Sequence, residues 1–148
     1  MSDELPRATL RPATAADADG LAPLMTLLGY PTEPAAMRAR LEKIDARADF
    51  RTLVAERGGR MVGMVGVQIG IGWNDDRPWA RVMSLVVAES ERGRGTGAAL
   101  MAAAEAWGRE NGAASLHLTT AGYREGAHRF YERIGYEATG VRYVRRRG

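Results

Sequence analysis

The run Arg92-Gly93-Arg94-Gly95-Thr96-Gly97 has the residue types of an anion site. Glycines let the backbone approach a phosphate more closely than residues with side chains permit. A helix start offers unpaired N–H groups at the positive end of its dipole. Here a Val- and Leu-rich segment, 82–87, leads through Glu89-Ser90-Glu91 into the glycines, and an alanine-rich segment with helical spacing follows. Arg92 and Arg94 add positive charge at the same mouth, so the stretch favours a pyrophosphate. Two nucleotide patterns fail on context. Gly93-x-Gly95-x-x-Ala98 formally matches the dinucleotide fingerprint, but Glu89 to Arg92 intervene between strand and first glycine, and the strand Leu116 to Thr120 carries no acid for a ribose. A phosphate loop of the ATPase kind needs a Gly-Lys-Ser/Thr ending, which the chain lacks.

The remaining chemistry is bounded by composition. No cysteine is present among 148 residues, which removes a thiolate nucleophile, thiolate metal sites and disulfides, and suits a reducing compartment. No metal site is read from the sequence. The first thirty residues include Asp3, Glu4, Asp17 and Asp19 and no long apolar run, so neither a signal peptide nor a membrane span is expected and the location is read as cytoplasmic. A net charge of +3 is small. The basic stretch Arg142-Tyr143-Val144-Arg145-Arg146-Arg147 reads as an exposed final strand and tail, and without an aromatic stacking stripe a nucleic-acid partner is not expected.

The elements that position these residues follow from periodicity. Thr9-Leu10-Arg11 alternates as an edge strand. Thr14 to Asp17 has the form of a capping box, and Leu21, Leu24, Met25 and Leu28 follow at helical spacing until Gly29 and Pro31. Pro23 should kink or divide that helix. A second helix is predicted from about Glu33 to Ala46. Strands over Thr52–Glu56 and Met61–Ile71 flank an Arg57-Gly58-Gly59-Arg60 hairpin turn. Trp73 to Pro78 is a loop, Ala80 to Ala88 a strand, Gly95 to Glu110 a helix, Ser115 to Thr120 a strand, Glu125 to Arg133 a helix, and Tyr136 to Arg145 a final strand. The order β-α-α-β-β-β-α-β-α-β describes one α/β domain over residues 1–148, a mixed central sheet with helices on both faces.

Arg92-x-x-Gly95-x-Gly97 after a strand resembles the pyrophosphate signature of the GNAT superfamily of acyl-CoA-dependent N-acetyltransferases. Ala127-His-Arg-Phe130-Tyr131-Glu-Arg-Ile-Gly135-Tyr136 is similar to that family's C-terminal motif, Ala-x-x-Phe-Tyr-x-x-x-Gly-Phe/Tyr. The two motifs stand in the family's order, and the resemblance covers nearly the whole chain. It implies acetyl-CoA as cosubstrate, with amides from Arg92, Gly93, Arg94, Gly95, Thr96, Gly97 and Ala98 around the pyrophosphate. It also implies that a bulged strand at Leu85, Val86 and Val87 splays from the next strand and pairs its main chain with the pantetheine arm. Arg124 stands where many relatives carry Asn, so that contact does not carry over. A homodimer stays open, with the C-terminal strand as its candidate contact.

The implied chemistry is attack of a neutral amine on a thioester carbonyl, which needs a proton route from the ammonium, donors to the oxyanion and an acid for the leaving sulfur. The resemblance makes Tyr131 the candidate acid. From the residues alone Tyr131 could equally be core, because Ala127, Phe130, Tyr131 and Ile134 share one helix face. Candidate proton carriers are Glu56, Asp75, Asp76 and His117. His117 should face away from Leu116 and Leu118, and Asp75 and Asp76 sit in a loop where they could form only a turn or meet a cationic amine. The acceptor is a small amine, favoured as cationic, or a protein amine. A non-catalytic acyl-CoA-binding module is the alternative, separated from an enzyme by the effect of Tyr131→Phe.

Overall fold

The structure, a computed structural model, describes residues 7–119 and 125–147. Arg124 and Thr120 lie outside the described residues, as do Asp3 and Glu4. The described residues fall into two compact units, divided between His117 and Leu118.

The sheet has the order β1-β2-β3-β4-β5, with β1 Thr9–Pro12, β2 Phe50–Arg57, β3 Arg60–Gly70, β4 Trp79–Val87 and β5 Leu116–Leu118. The first four strands pair antiparallel. β2 and β3 turn over at Gly58 and Gly59, both with positive φ, as the hairpin reading required. Beside the start of β4, Ala114 N–H donates to the Pro78 carbonyl at 2.9 Å and Ala80 N–H to the Ser115 carbonyl at 3.0 Å. Both chains advance together through these bonds, so this pairing is parallel and the sheet mixed.

Helices cover both faces. On one, α1 (Ala18–Leu28) and α2 (Pro34–Asp45) enclose Leu21, Leu24, Met37 and Leu41 with Val54, Met64 and Val86 of the sheet. On the other lies α3 (Thr96–Glu110), where Leu100 packs on Gly63 and Gly108 sits against Ala80. The capping box forms: Thr14 N–H donates to Asp17 at 2.9 Å, Ala16 N–H to Thr14 Oγ1 at 3.3 Å, and the carboxylate also receives Arg11. The division expected at Pro23 is not seen: α1 runs unbroken from Ala18 to Leu28 after a separate 3-10 turn, with the Pro23 ring exposed.

The second unit holds α4 (Glu125–Arg133), which ends where Gly135 takes φ 101° and Tyr136 N–H reaches the Tyr131 carbonyl at 2.9 Å. The strand expected over Tyr136 to Arg145 is not formed. Residues 137–147 are all exposed, so their alternation buries no face, and a strand exists only where a ladder and a buried face support it.

Candidate active site

β4 delivers the chain to the glycines through a 3-10 turn, Glu89–Glu91. Gly93 (φ 80°) and Gly95 (φ 82°) then adopt the left-handed conformation, which residues with a Cβ enter at a cost. Beyond the adjoining residues, no atom lies within 4 Å of a Cβ built on either, so the space in front of both backbones is open. Gly95 caps α3, and the first helical bond runs from Ala99 N–H to the Gly95 carbonyl at 3.0 Å. The amides of Thr96, Gly97 and Ala98 therefore have no partner within the helix and stand at its positive end. The amides of Arg92 and Arg94 are turned inward, donating at 3.2 Å to the carbonyls of Glu89 and Glu91. Of the seven residues expected to surround an anion, Gly93 and Gly95 to Ala98 thus offer backbone. Arg92 and Arg94 offer exposed guanidinium side chains.

A feature not anticipated from sequence holds this turn in place. Glu91 is only 3% exposed, and its carboxylate accepts from Arg57 Nε at 2.8 and 3.0 Å and from the Thr96 hydroxyl at 3.1 Å. The Arg57 guanidinium comes from the end of β2, so one buried carboxylate ties the sheet, the turn and the first residue of α3 together. It also occupies the Thr96 side chain, leaving that residue's amide for a ligand. No local pattern marks Glu91, which sits between Ser90 and Arg92 and reads as solvated.

The strand leading to the turn carries its irregularity at Met83. Gly66 pairs with Ser84 and Val67 with Val82, so Met83 is an extra residue, half exposed. Past it, Leu85, Val86 and Val87 pair with Val65, Met64 and Gly63. Ala88 N–H donates to the Val62 carbonyl. Main-chain direction alternates along a strand, so Val86 spends its N–H and C=O on β3, whereas Leu85 and Val87 direct theirs to the other edge. β5 has three residues against the nine of β4 and flanks only part of that edge.

The candidate proton carriers are scattered. Glu56 accepts from Arg11 Nε at 2.6 Å. Asp75 is held by Arg77 through its backbone N–H at 2.9 Å and its guanidinium at 3.1 Å, and the guanidinium bond keeps its carboxyl below the usual range. Asp76 is exposed in the same loop, where Gly72 to Asp76 line a shallow depression of about 490 Å³. That loop precedes β4 and the glycine turn follows it, so they occupy opposite ends of the strand. His117 is exposed, faces away from Leu116 and Leu118 as expected, and lies 2.7 Å from the Ser115 hydroxyl. Tyr131 is half-buried on α4 with Ala127 and Phe130, as is Ile134 just past the helix, and its ring lies 5.2 Å edge-on to Phe130 and 6.0 Å from Tyr136. No group of three or more His, Asp or Glu residues suited to a metal ion occurs among the described residues.

Residues 20–136 match the Acetyltransferase (GNAT) family. An aminoalkylphosphonate N-acetyltransferase of Salmonella typhimurium is 31% identical, over 97% of this chain and 94% of that protein. Among solved structures, aminoglycoside N-acetyltransferase AAC(6')-Iy in complex with CoA superposes with a TM-score of 0.87 at 21% identity, covering all of both chains. A transcriptional regulator from Bacillus halodurans gives 0.87 at 24% identity, over 94% of this chain and 99% of that one. At those identities the two structures speak for the fold.

Proposed function

The chain belongs to the GNAT acetyltransferase family, and from that membership we propose that it acetylates a small primary amine by direct attack within a ternary complex. It is an N-acetyltransferase that uses acetyl-CoA. The observation that carries the finer reading is the pair of left-handed glycines with open space before them, followed by the unpaired amides at the start of α3. Amides of Gly93 and of Gly95 to Ala98, with the side chains of Arg92 and Arg94, hold the pyrophosphate. The pantetheine arm then runs back along the edge of β4, taking hydrogen bonds from the main chain of Leu85 and Val87, while Val86 serves by keeping the strand seated on the core.

The amine acts as the nucleophile after its ammonium gives one proton to solvent. Its nitrogen bonds to the thioester carbonyl carbon, and the carbon–sulfur bond breaks as the tetrahedral intermediate collapses. The thiolate takes a proton from Tyr131, which is restored by the second proton that the nitrogen loses. The products are an N-acetylamine and the CoA thiol, with one proton released overall. Glu56 and Asp75 are both engaged by arginines, so we assign the first proton transfer to solvent. The curated relative's name supports a small acceptor. A cytoplasmic location belongs to the same proposal.

Tyr131→Phe tests this reading. Removing a general acid lowers kcat by roughly 100-fold or more while acetyl-CoA KM stays nearly constant. An unchanged kcat would return Tyr131 to a packing role. Acetyl-CoA binding with no turnover of any amine by the wild type would favour the non-catalytic module.

A further inference from the structure

The face of the sheet covered by α1 and α2 changes character along its length. Val54, Met64 and Val86 form one cross-strand row and belong to the buried core. The next row on the same face is Thr52, Gly66 and Ser84, and the one after it Phe50, Gln68 and Arg81. The step from Ser84 to Arg81, three residues instead of two, is the bulge at Met83, which returns Arg81 to this face. Beyond them Trp79 pairs with Gly70 and lays its indole over that glycine, where a Cβ would fall 2.1 Å from the ring. Between these rows the face is open above Gly66, where an added Cβ would meet only Met64 Cε at 3.8 Å, and with Ser84 and Gln68 half-buried beside it this leaves a shallow hollow.

Arg81 stands out in this hollow. Of the half-buried arginines among the described residues, Arg57 pairs with Glu91 and Arg51 lies over the Trp107 ring at 5.8 Å. Arg81, half-buried, has no hydrogen-bond or ion-pair partner among the described residues. A guanidinium so placed retains its full capacity for a planar anion with two acceptor oxygens. Resting on the reading above, the pantetheine arm along Leu85 and Val87 brings the thioester toward the bulge, and so toward the Ser84 end of the hollow. Arg81 and Gln68 lie one row further, about 7 Å along the sheet.

We propose that this hollow is the acceptor site and that it takes a short primary amine bearing a phosphonate or carboxylate, with Arg81 as the residue that selects the anion. The amine end sits by Ser84 and Gly66, and the anionic end takes the guanidinium of Arg81 and the amide of Gln68. The ammonium preference suggested by Asp75 and Asp76 is not the discriminating feature, since Arg77 already engages Asp75.

Initial rates with 2-aminoethylphosphonate, 3-aminopropionate, propylamine and ethylenediamine test this, in wild type, Arg81→Gln and Arg81→Lys. The expected wild-type kcat/KM for an anionic amine exceeds that for propylamine roughly 10- to 100-fold, the worth of one or two charge-assisted hydrogen bonds. In Arg81→Gln that ratio falls to near one, and Arg81→Lys restores part of it. A ratio is unaffected by partial loss of folded enzyme, so it remains readable in a weakened variant. Comparing the phosphonate with the carboxylate identifies which anion the hollow fits. A wild-type ratio near one, or a ratio that Arg81→Gln leaves intact, overturns the proposal while the acetyltransferase reading stands. Failure of all four amines with bound acetyl-CoA overturns both.

Discussion

Glu91 is the residue on which the geometry of the glycine turn most depends. Its carboxylate is buried and the Arg57 guanidinium partly buried, so deleting one partner leaves a charge without compensation. Glu91→Ala is expected to lower stability by about 3 kcal/mol, measured by urea denaturation, and to raise the KM for acetyl-CoA as the turn loosens. An unchanged KM in a folded variant would show that the turn holds its shape alone. At Asp17 the effect is set by pH. Hydrogen bonds from Arg11, and then from the Thr14 amide, hold its carboxyl below the ordinary 3.8. A depressed folded-state pKa contributes stability that is present above the unfolded value and lost as pH falls through the folded one. Asp17→Asn should therefore cost about 1 kcal/mol at neutral pH, in the range of a lost cap. The gap to wild type should close in acid, as equilibrium unfolding at descending pH would reveal.

At the scale of elements, the glycine turn converts backbone conformation into a ligand site. Gly93→Ala places a Cβ in open space, so its cost is conformational, about 1 kcal/mol. The expected result is a small fall in melting temperature without ligand and a larger fall with acetyl-CoA present. Equal falls would mean that this amide does not meet the cofactor. These elements were legible in the sequence because each has a local cause: the Thr14–Asp17 box, the Gly58-Gly59 turn, the helical spacing of Leu100, Met101, Ala104 and Trp107. The bulge was legible in principle, since polar Arg81 and Ser84 stand three apart in a strand whose period is two. What stayed hidden depends on contacts between distant segments. Arg57 and Glu91 are 34 residues apart, and nothing local predicts that they pair. The final strand failed for the converse reason, a local alternation without a buried face to receive it.

For the molecule as a whole, the family and the cosubstrate rest on both motifs and on a match spanning residues 20–136. Taken separately, the first unit contains the glycine turn and β4, and the second contains α4 with Tyr131. No helix among the described residues is long and apolar enough to cross a membrane. Direct transfer asks for both substrates to be bound at once, and the chain has no cysteine to carry the acetyl group between them. The most direct test is therefore the initial rate of CoA thiol release with acetyl-CoA and a short primary amine varied together. The account predicts release that requires the amine, one acetylated amine per thiol, and reciprocal plots that intersect. Parallel plots, or thiol released in a burst before any amine is added, would place the acetyl group on the enzyme and contradict it.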